Sequence, residues 1–197
     1  MPEAPWSPVA FEERYARSTD PWSFETSAYE QARYDAIEAV LRPSPHRYRS
    51  GFEPACSIGV LTERLAGRCD TLLATDVAPS AAARARRRCG GRAGVTVAVG
   101  SIEGGPYPAA PPDLIVLSEV GYYLARDQLA VVVGDLAAVA APGAEVVACH
   151  WTGESPDHQL HGREVHEVLA EVLGSLAVEV QTASHDGFLL DAWRFAP

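Results

Sequence analysis

The chain contains no lysine: all 16 of its basic residues are arginine. That excludes a Schiff-base lysine and a P-loop lysine on a nucleotide phosphate. No run approaches the ~18 consecutive apolar residues of a membrane span. A basic segment followed by an apolar one is also lacking at the start, so no secretory signal is expected. The four cysteines, Cys56, Cys69, Cys89 and Cys149, form no C-x-x-C pair. That spacing speaks against a zinc ribbon or a disulfide framework, and reduced thiols in a cytoplasmic protein are the expectation. Net positive charge is missing too: 26 acidic residues against 16 basic give -10, which argues against a nucleic-acid partner.

What is present is the composition of an ordinary globular protein, with 197 residues, 47% hydrophobic and 21% charged, enough for one domain with a sizeable core. The first 26 residues read as irregular, aromatic and proline-marked. From Ser27 the pattern turns helical. Ser27 and Glu30 have capping-box spacing, Tyr29, Ala32, Ala36, Ile37, Val40 and Leu41 recur along one stripe, and Pro43 and Pro45 end it. Strand-like runs then fall at 49–54, 71–76, 95–99, 113–118, 144–150, 176–183 and 187–195. Helical patterns lie between them at 59–67, 79–89, 125–140 and 162–174. The fourth strand is apolar from Leu114 to Leu117, as for a parallel strand covered on both faces. The last two runs are separated only by His185-Asp186-Gly187, a hairpin signal. The prediction is an α/β fold: a Rossmann-like, doubly wound, seven-stranded sheet with its last strand antiparallel. Residues 1–45 form an N-terminal helical cap on a single domain whose core is 46–197.

Ligands bind such sheets at the carboxyl ends of the strands. There the chain offers small or polar groups: Glu53 to Gly59, Asp76, Gly100-Ser101-Ile102, Ser118-Glu119 and Cys149-His150-Trp151. Ala55, Ser57 and Gly59 alternate small side chains where strand turns into helix, so a ligand can approach the backbone. Asp76 lies 17 residues beyond Gly59, where an acid that takes ribose hydroxyls belongs; the plain alternative is a turn residue. A dinucleotide fingerprint needs G-x-G-x-x-G, and Ala55 and Ser57 stand in place of glycines, so an NAD oxidoreductase fits poorly.

These features resemble a class I methyltransferase using S-adenosylmethionine. Glu53-Pro54-Ala55-Cys56-Ser57-Ile58-Gly59 matches the acid, spacing and last glycine of that family's E/D-x-G-x-G-x-G motif. More narrowly, the chain is similar to the nodulation protein S family, which N-methylates amino sugars. The similarity rests on Asp20-Pro21-Trp22, Tyr29-Glu30 with Arg33-Tyr34, CSIGVLTERLAGRCD from Cys56 to Asp70, SEVGYYL from Ser118 to Leu124, and His150-Trp151. It runs from about residue 11 to 195; Ala55 and the loop 103–112 depart from the pattern. The resemblance implies that Glu53, Ala55, Cys56, Ser57 and Gly59 flank the methionine part of the cofactor. It implies that Asp76 holds the ribose, that Val77 and Ile102 sandwich the adenine, and that Ser101 lies near its amino edge. Ser118 would line the sulfonium side, with Trp22, Tyr29 and Tyr34 contributed by the cap. No metal is expected.

A sulfonium is already activated, so the protein has to align the nucleophile and exclude water. An amine acceptor must be neutral when it attacks, and Glu119 and His150 are the candidate proton acceptors. Tyr122, Tyr123 and Trp151 are expected to face the substrate. Plain alternatives stand beside these: Glu119 as a helix-initiating acid, His150 as a core histidine, the tyrosines as packing, Glu30 as a cap, and Tyr34 as merely exposed. His158, His161 and His166 suggest a metal, but a helix sets His161 and His166 about 140° apart, poor geometry for one ion. The arginine run Arg84, Arg86, Arg87, Arg88 and Arg92 reads as a solvated face. The expected activity is methyl transfer to a small amine, on a sugar-like or secondary-metabolite scaffold, by a monomer or homodimer with no nucleic-acid or membrane partner. Oxygen methylation and a non-catalytic cofactor-binding module are the alternatives.

Overall fold

The structure, a computed structural model, describes residues 4–197; the cap's first three residues lie outside them. Seven strands make one mixed sheet: β1 (Tyr48–Pro54), β2 (Cys69–Asp76), β3 (Val95–Val99), β4 (Leu114–Ser118), β5 (Glu145–Trp151), β6 (Ala177–His185) and β7 (Phe188–Phe195), ordered β3-β2-β1-β4-β5-β7-β6. The first five are parallel. As expected from the Asp186-Gly187 turn, β7 runs antiparallel; it slots between β5 and β6 rather than forming the edge. Gly187 takes φ 87 there, a conformation side chains disfavour.

The apolar run in β4 shows why both faces are covered. Ile115 and Leu117 point to one core with Val146, Ala148 and Trp193, roofed by α5 (Arg126–Val139) and α6 (Gly162–Leu173). Leu114 and Val116 point to the opposite core with Leu72, Val147 and Leu190, under α2 (Ala28–Val40) and α3 (Val60–Leu65). Period-2 alternation thus distributes one strand between two cores. α4 (Pro79–Arg88) packs beside α3 and over β2 and β3.

Two local expectations are corrected. The first 26 residues are not all irregular: Pro8–Arg17 forms a helix, α1, with Pro8 in its first turn and Ser7 Oγ accepting from Ala10 N. Its apolar face is only Phe11 and Tyr15, too short a stripe to read by period, and it is held by packing on Ala78 and Ala81 at the start of α4 and on Ile58 in the loop after β1. At the start of α2, Ser27 Oγ caps Glu30 N, but the Glu30 carboxylate turns inward to Arg33 instead of back to the chain. Within the arginine run, Arg86, Arg87 and Arg92 are exposed, as a solvated face would have them, while Arg84 and Arg88 act as tethers. Arg84 donates to the carbonyls of Tyr15, Ser18 and Thr19, and Arg88 pairs with Glu25 and with Glu63, fastening α4 to the cap and to α3. All four cysteines are buried and free. No helix among the described residues is long and apolar enough to cross a membrane.

Candidate active site

The carboxyl ends of β1 to β5, roofed by the cap, enclose a cleft of about 680 Å³. Three alternate small positions shape one side of it. Ala55, Ser57 and Gly59 all have positive φ, 58, 53 and 81, so the loop keeps the left-handed backbone that glycines normally supply although two of them carry side chains. Ser57 N donates to Asp76 Oδ2 at 2.9 Å, and Tyr15 OH in α1 donates to Ser57 Oγ at 2.5 Å. Ala55, Cys56 and Ser57 line the cleft, but Gly59 does not. A Cβ on Gly59 would lie 2.9 Å from Ala85, so that glycine serves the contact of α3 with α4.

Two carboxyls stand at the ends of β1 and β2. Glu53 is 3% exposed, and its Oε2 finds no hydrogen-bond partner among the described residues. Burial raises it to about 8. Asp76 accepts from Ser57 N and Ala78 N, one on each oxygen, and burial raises it to about 6 against those two bonds. Each Asp76 oxygen keeps a lone pair for a hydroxyl. Val77 and Ile102 add apolar surface, and Ser101 lines the cleft while its Oγ accepts from Gly104 N. An orphaned buried carboxyl, a carboxylate with spare lone pairs and two apolar side chains fit a ligand carrying an ammonium, a diol and a flat ring.

The other side of the cleft is built around Arg33, which carried part of the family resemblance but was given no role of its own. Its guanidinium is 1% exposed. It pairs with Glu30 through Nε and Nη2, donates from Nη1 to Ser118 Oγ at 2.6 Å, and lies 3.8 Å from Glu119 Oε1. Burial pulls its proton affinity down, and Glu119 and Glu30 outweigh that and push it up. The available signal was the i, i+3 spacing of Glu30 and Arg33, which puts both on one helix face.

Glu119 follows β4 in a left-handed conformation, φ 57, with both oxygens held. Oε2 accepts from Tyr122 OH at 2.6 Å and Oε1 from Trp151 N at 2.7 Å. Tyr122, Tyr123 and Trp151 line the cleft. So does His158, whose ring stacks 3.7 Å from Tyr122 and which burial holds below the ordinary imidazole range. Trp22 lies beside Tyr15 and Phe11 at the mouth. Tyr29 lines the cleft with its hydroxyl donating to Gly187 O, so it also clamps the β6–β7 turn. Tyr34 is buried rather than exposed, its ring under the guanidinium groups of Arg33 and Arg64.

His150 is the principal correction. It is fully buried, does not line the cleft, and accepts from Gly121 N at 3.0 Å. A histidine one residue before the end of β5 points either to the cleft or into the core, and the packing of α6 against β5 decides for the core. The other histidines separate as well: His161 caps α6, and His166 lies inside against Asp191. Among the described residues, no three metal-ligating side chains gather at one point.

The family model for nodulation protein S (NodS) matches residues 10–151. Nodulation protein S of Rhizobium tropici is 29% identical over 176 residues, 88% of this chain and 72% of the relative. That of Bradyrhizobium diazoefficiens is 36% identical over 113 residues, and the match spans 57% of this chain and 53% of the relative. The crystal structure of N-methyltransferase NodS from Bradyrhizobium japonicum WM9, in complex with S-adenosyl-L-homocysteine, superposes with a TM-score of 0.80 at 27% identity, covering 96% of this chain and 99% of that one. The chain belongs to the nodulation protein S family, and with it to the class I S-adenosylmethionine-dependent methyltransferases.

Proposed function

We propose that the protein N-methylates a small amine on a sugar-like or similarly polar scaffold, with S-adenosylmethionine as donor and Glu119 as proton acceptor. The observation that carries this reading is the Glu119 carboxylate, held at the cleft wall by Tyr122 OH and Trp151 N. When bound, S-adenosylmethionine supplies an electrophilic methyl group on a sulfonium. Glu53 is the group to take its ammonium end and Asp76 its ribose, with Ala55, Cys56 and Ser57 along the methionine part. Val77 and Ile102 suit its ring, Ser101 the ring's amino edge and Ser118 the sulfur side.

An amine brings its own lone pair. Glu119 then has to accept a hydrogen bond from its N–H, aim that lone pair, and take the proton the nitrogen sheds as the new N–C bond forms. An alcohol has to lose its proton as it attacks, which calls for a stronger base than a carboxylate. His150, the imidazole that would have favoured oxygen, is withdrawn from the cleft. Tyr122, Tyr123, Trp151 and the His158 face form an aromatic surround that suits the apolar faces of a polar ring.

Calorimetry with S-adenosylhomocysteine tests the cofactor half. Binding to wild type is expected, weakened by more than about tenfold, ~1.4 kcal/mol, in Asp76→Ala. Methyl transfer to amino sugars and simple amines, but not to their hydroxyl counterparts, tests the acceptor half. Failure of the folded wild type to bind removes the donor; transfer to hydroxyls alone removes the amine.

A further inference from the structure

Behind the acceptor wall lies a buried chain of polar groups that neither proton acceptance nor cofactor binding uses. Asp191 Oδ2 in β7 lies 2.6 Å from His166 Nδ1 in α6, His166 Nε2 lies 3.2 Å from His150 Nδ1 in β5, and His150 Nε2 lies 3.0 Å from the amide of Gly121. The ends of this chain fix every proton in it. A backbone N–H only donates, so His150 Nε2 is bare and its proton sits on Nδ1. That proton points at His166 Nε2, which must then be bare, and the His166 proton sits on Nδ1 facing Asp191. Asp191 Oδ1 is buried without a partner among the described residues, so His166 is the carboxylate's one side-chain donor.

We propose that Asp191, His166 and His150 form a positioning relay: the carboxylate selects the tautomer with which His150 holds Gly121, and through the turn 121–123 fixes Tyr122 and Glu119 at the acceptor side of the cleft. This rests on the reading of Glu119 given above. His150 is placed to act on both supports of that carboxylate. Its ring packs edge-on to Tyr122 at 5.5 Å, and the next residue in β5 is Trp151, whose N–H holds the other oxygen. The approach to Gly121 also requires that residue's missing side chain, because a Cβ would fall 2.5 Å from Val165 Cγ1 and 3.1 Å from His150 Nε2. Glu119 needs such support, since its own backbone is left-handed and strained. Burial, with His166, Arg33 and His158 nearby, keeps His150 neutral by holding it well below the ordinary imidazole range.

The first measurement needs no variant: nitrogen-15 NMR of wild type with S-adenosylhomocysteine should show His150 protonated on Nδ1 and bare on Nε2. A proton on Nε2 overturns the relay. In Asp191→Leu, His166 loses the acceptor that fixes its tautomer. Gly121 amide exchange should then rise and kcat for an amine fall by about tenfold to a hundredfold, the effect of a small misplacement, with KM for the donor and S-adenosylhomocysteine affinity unchanged. Asp191→Asn can offer the same acceptor through its carbonyl and should stay within about twofold of wild type. A folded Asp191→Leu with unchanged Gly121 exchange and kcat overturns the proposal. Wild type that turns over no amine, while Gly121 exchange responds to Asp191→Leu as stated, defeats the acceptor reading and leaves the relay's hold on the turn supported.

Discussion

The two ends of the cleft are built in different ways. Below β1 and β2, the groups that matter sit on the strand ends and the loop after β1: Glu53, Ala55, Ser57 and Asp76, joined by the Ser57 amide on Asp76. Below β4 and β5, a single carboxylate is placed by Arg33 from α2, Tyr122 from a turn, Trp151 from β5 and, further back, Asp191 from β7. The first end is a local motif whose backbone conformation does the work. The second is an assembly of distant segments. A local motif tolerates small substitutions, whereas an assembly fails when one distant member is removed.

That contrast is tested most severely at Arg33. Arg33→Met leaves buried Glu30 and half-buried Glu119 without their cation and should destabilise the fold by roughly 3 kcal/mol or more, read by denaturant unfolding. A loss under about 1 kcal/mol would make the assembly no more demanding than a surface pair. Glu119→Gln comes next. It keeps the shape and removes the proposed proton acceptor, so turnover with an amine should fall about a hundredfold or more while S-adenosylhomocysteine binds as before. Equal losses in turnover and in S-adenosylhomocysteine affinity would erase the division between the two ends.

A smaller effect belongs to the local end. Glu53 keeps its proton in the native state up to about pH 8 and loses it when unfolded near its ordinary value of 4.5. Between those limits the native state binds more protons, so stability falls as pH rises. The slope from Glu53 approaches about 1.4 kcal/mol per pH unit at most. Saturating S-adenosylhomocysteine, whose ammonium favours the ionised carboxyl, should flatten it, and Glu53→Gln should abolish it. A wild-type slope that is the same in Glu53→Gln would assign it elsewhere. The smallest expected effect is at Ala55. Glycine there relieves left-handed strain of ~1–2 kcal/mol but adds ~0.5–1 kcal/mol of unfolded-state freedom. Ala55→Gly should therefore gain on the order of 0.5 kcal/mol in unfolding midpoint and leave cofactor affinity unchanged, as a site that works through backbone conformation predicts.

Legibility followed the same line. The alternation of strands and helices, the hairpin at Asp186-Gly187 and the acid ending β2 are short-range patterns, and the chain displays them directly. Helix α1 escaped because its two core-facing aromatics, buried Tyr15 and half-buried Phe11, carry too little periodicity to outweigh the prolines around it. Glu30 read as a cap because capping is a local option, and the alternative, Arg33 in a buried ion cluster, depends on what lies opposite across the cleft. The places of His150 and His158 were not legible for the same reason. Strand position places His150 at the right end of the sheet, but only the packing of α6 turns it inward, and only the stack on Tyr122 brings His158 to the wall.

The sequence by itself therefore determined the architecture, the end of the sheet where the cleft opens and the small-residue loop after β1, because these follow from periodicity, turn chemistry and spacing along one chain. The tertiary structure alone decided which histidine meets the cleft, which arginine anchors it and how Glu119 is held. Those outcomes depend on side chains from four or five remote segments competing for the same buried space, and neither periodicity nor spacing records which of them wins.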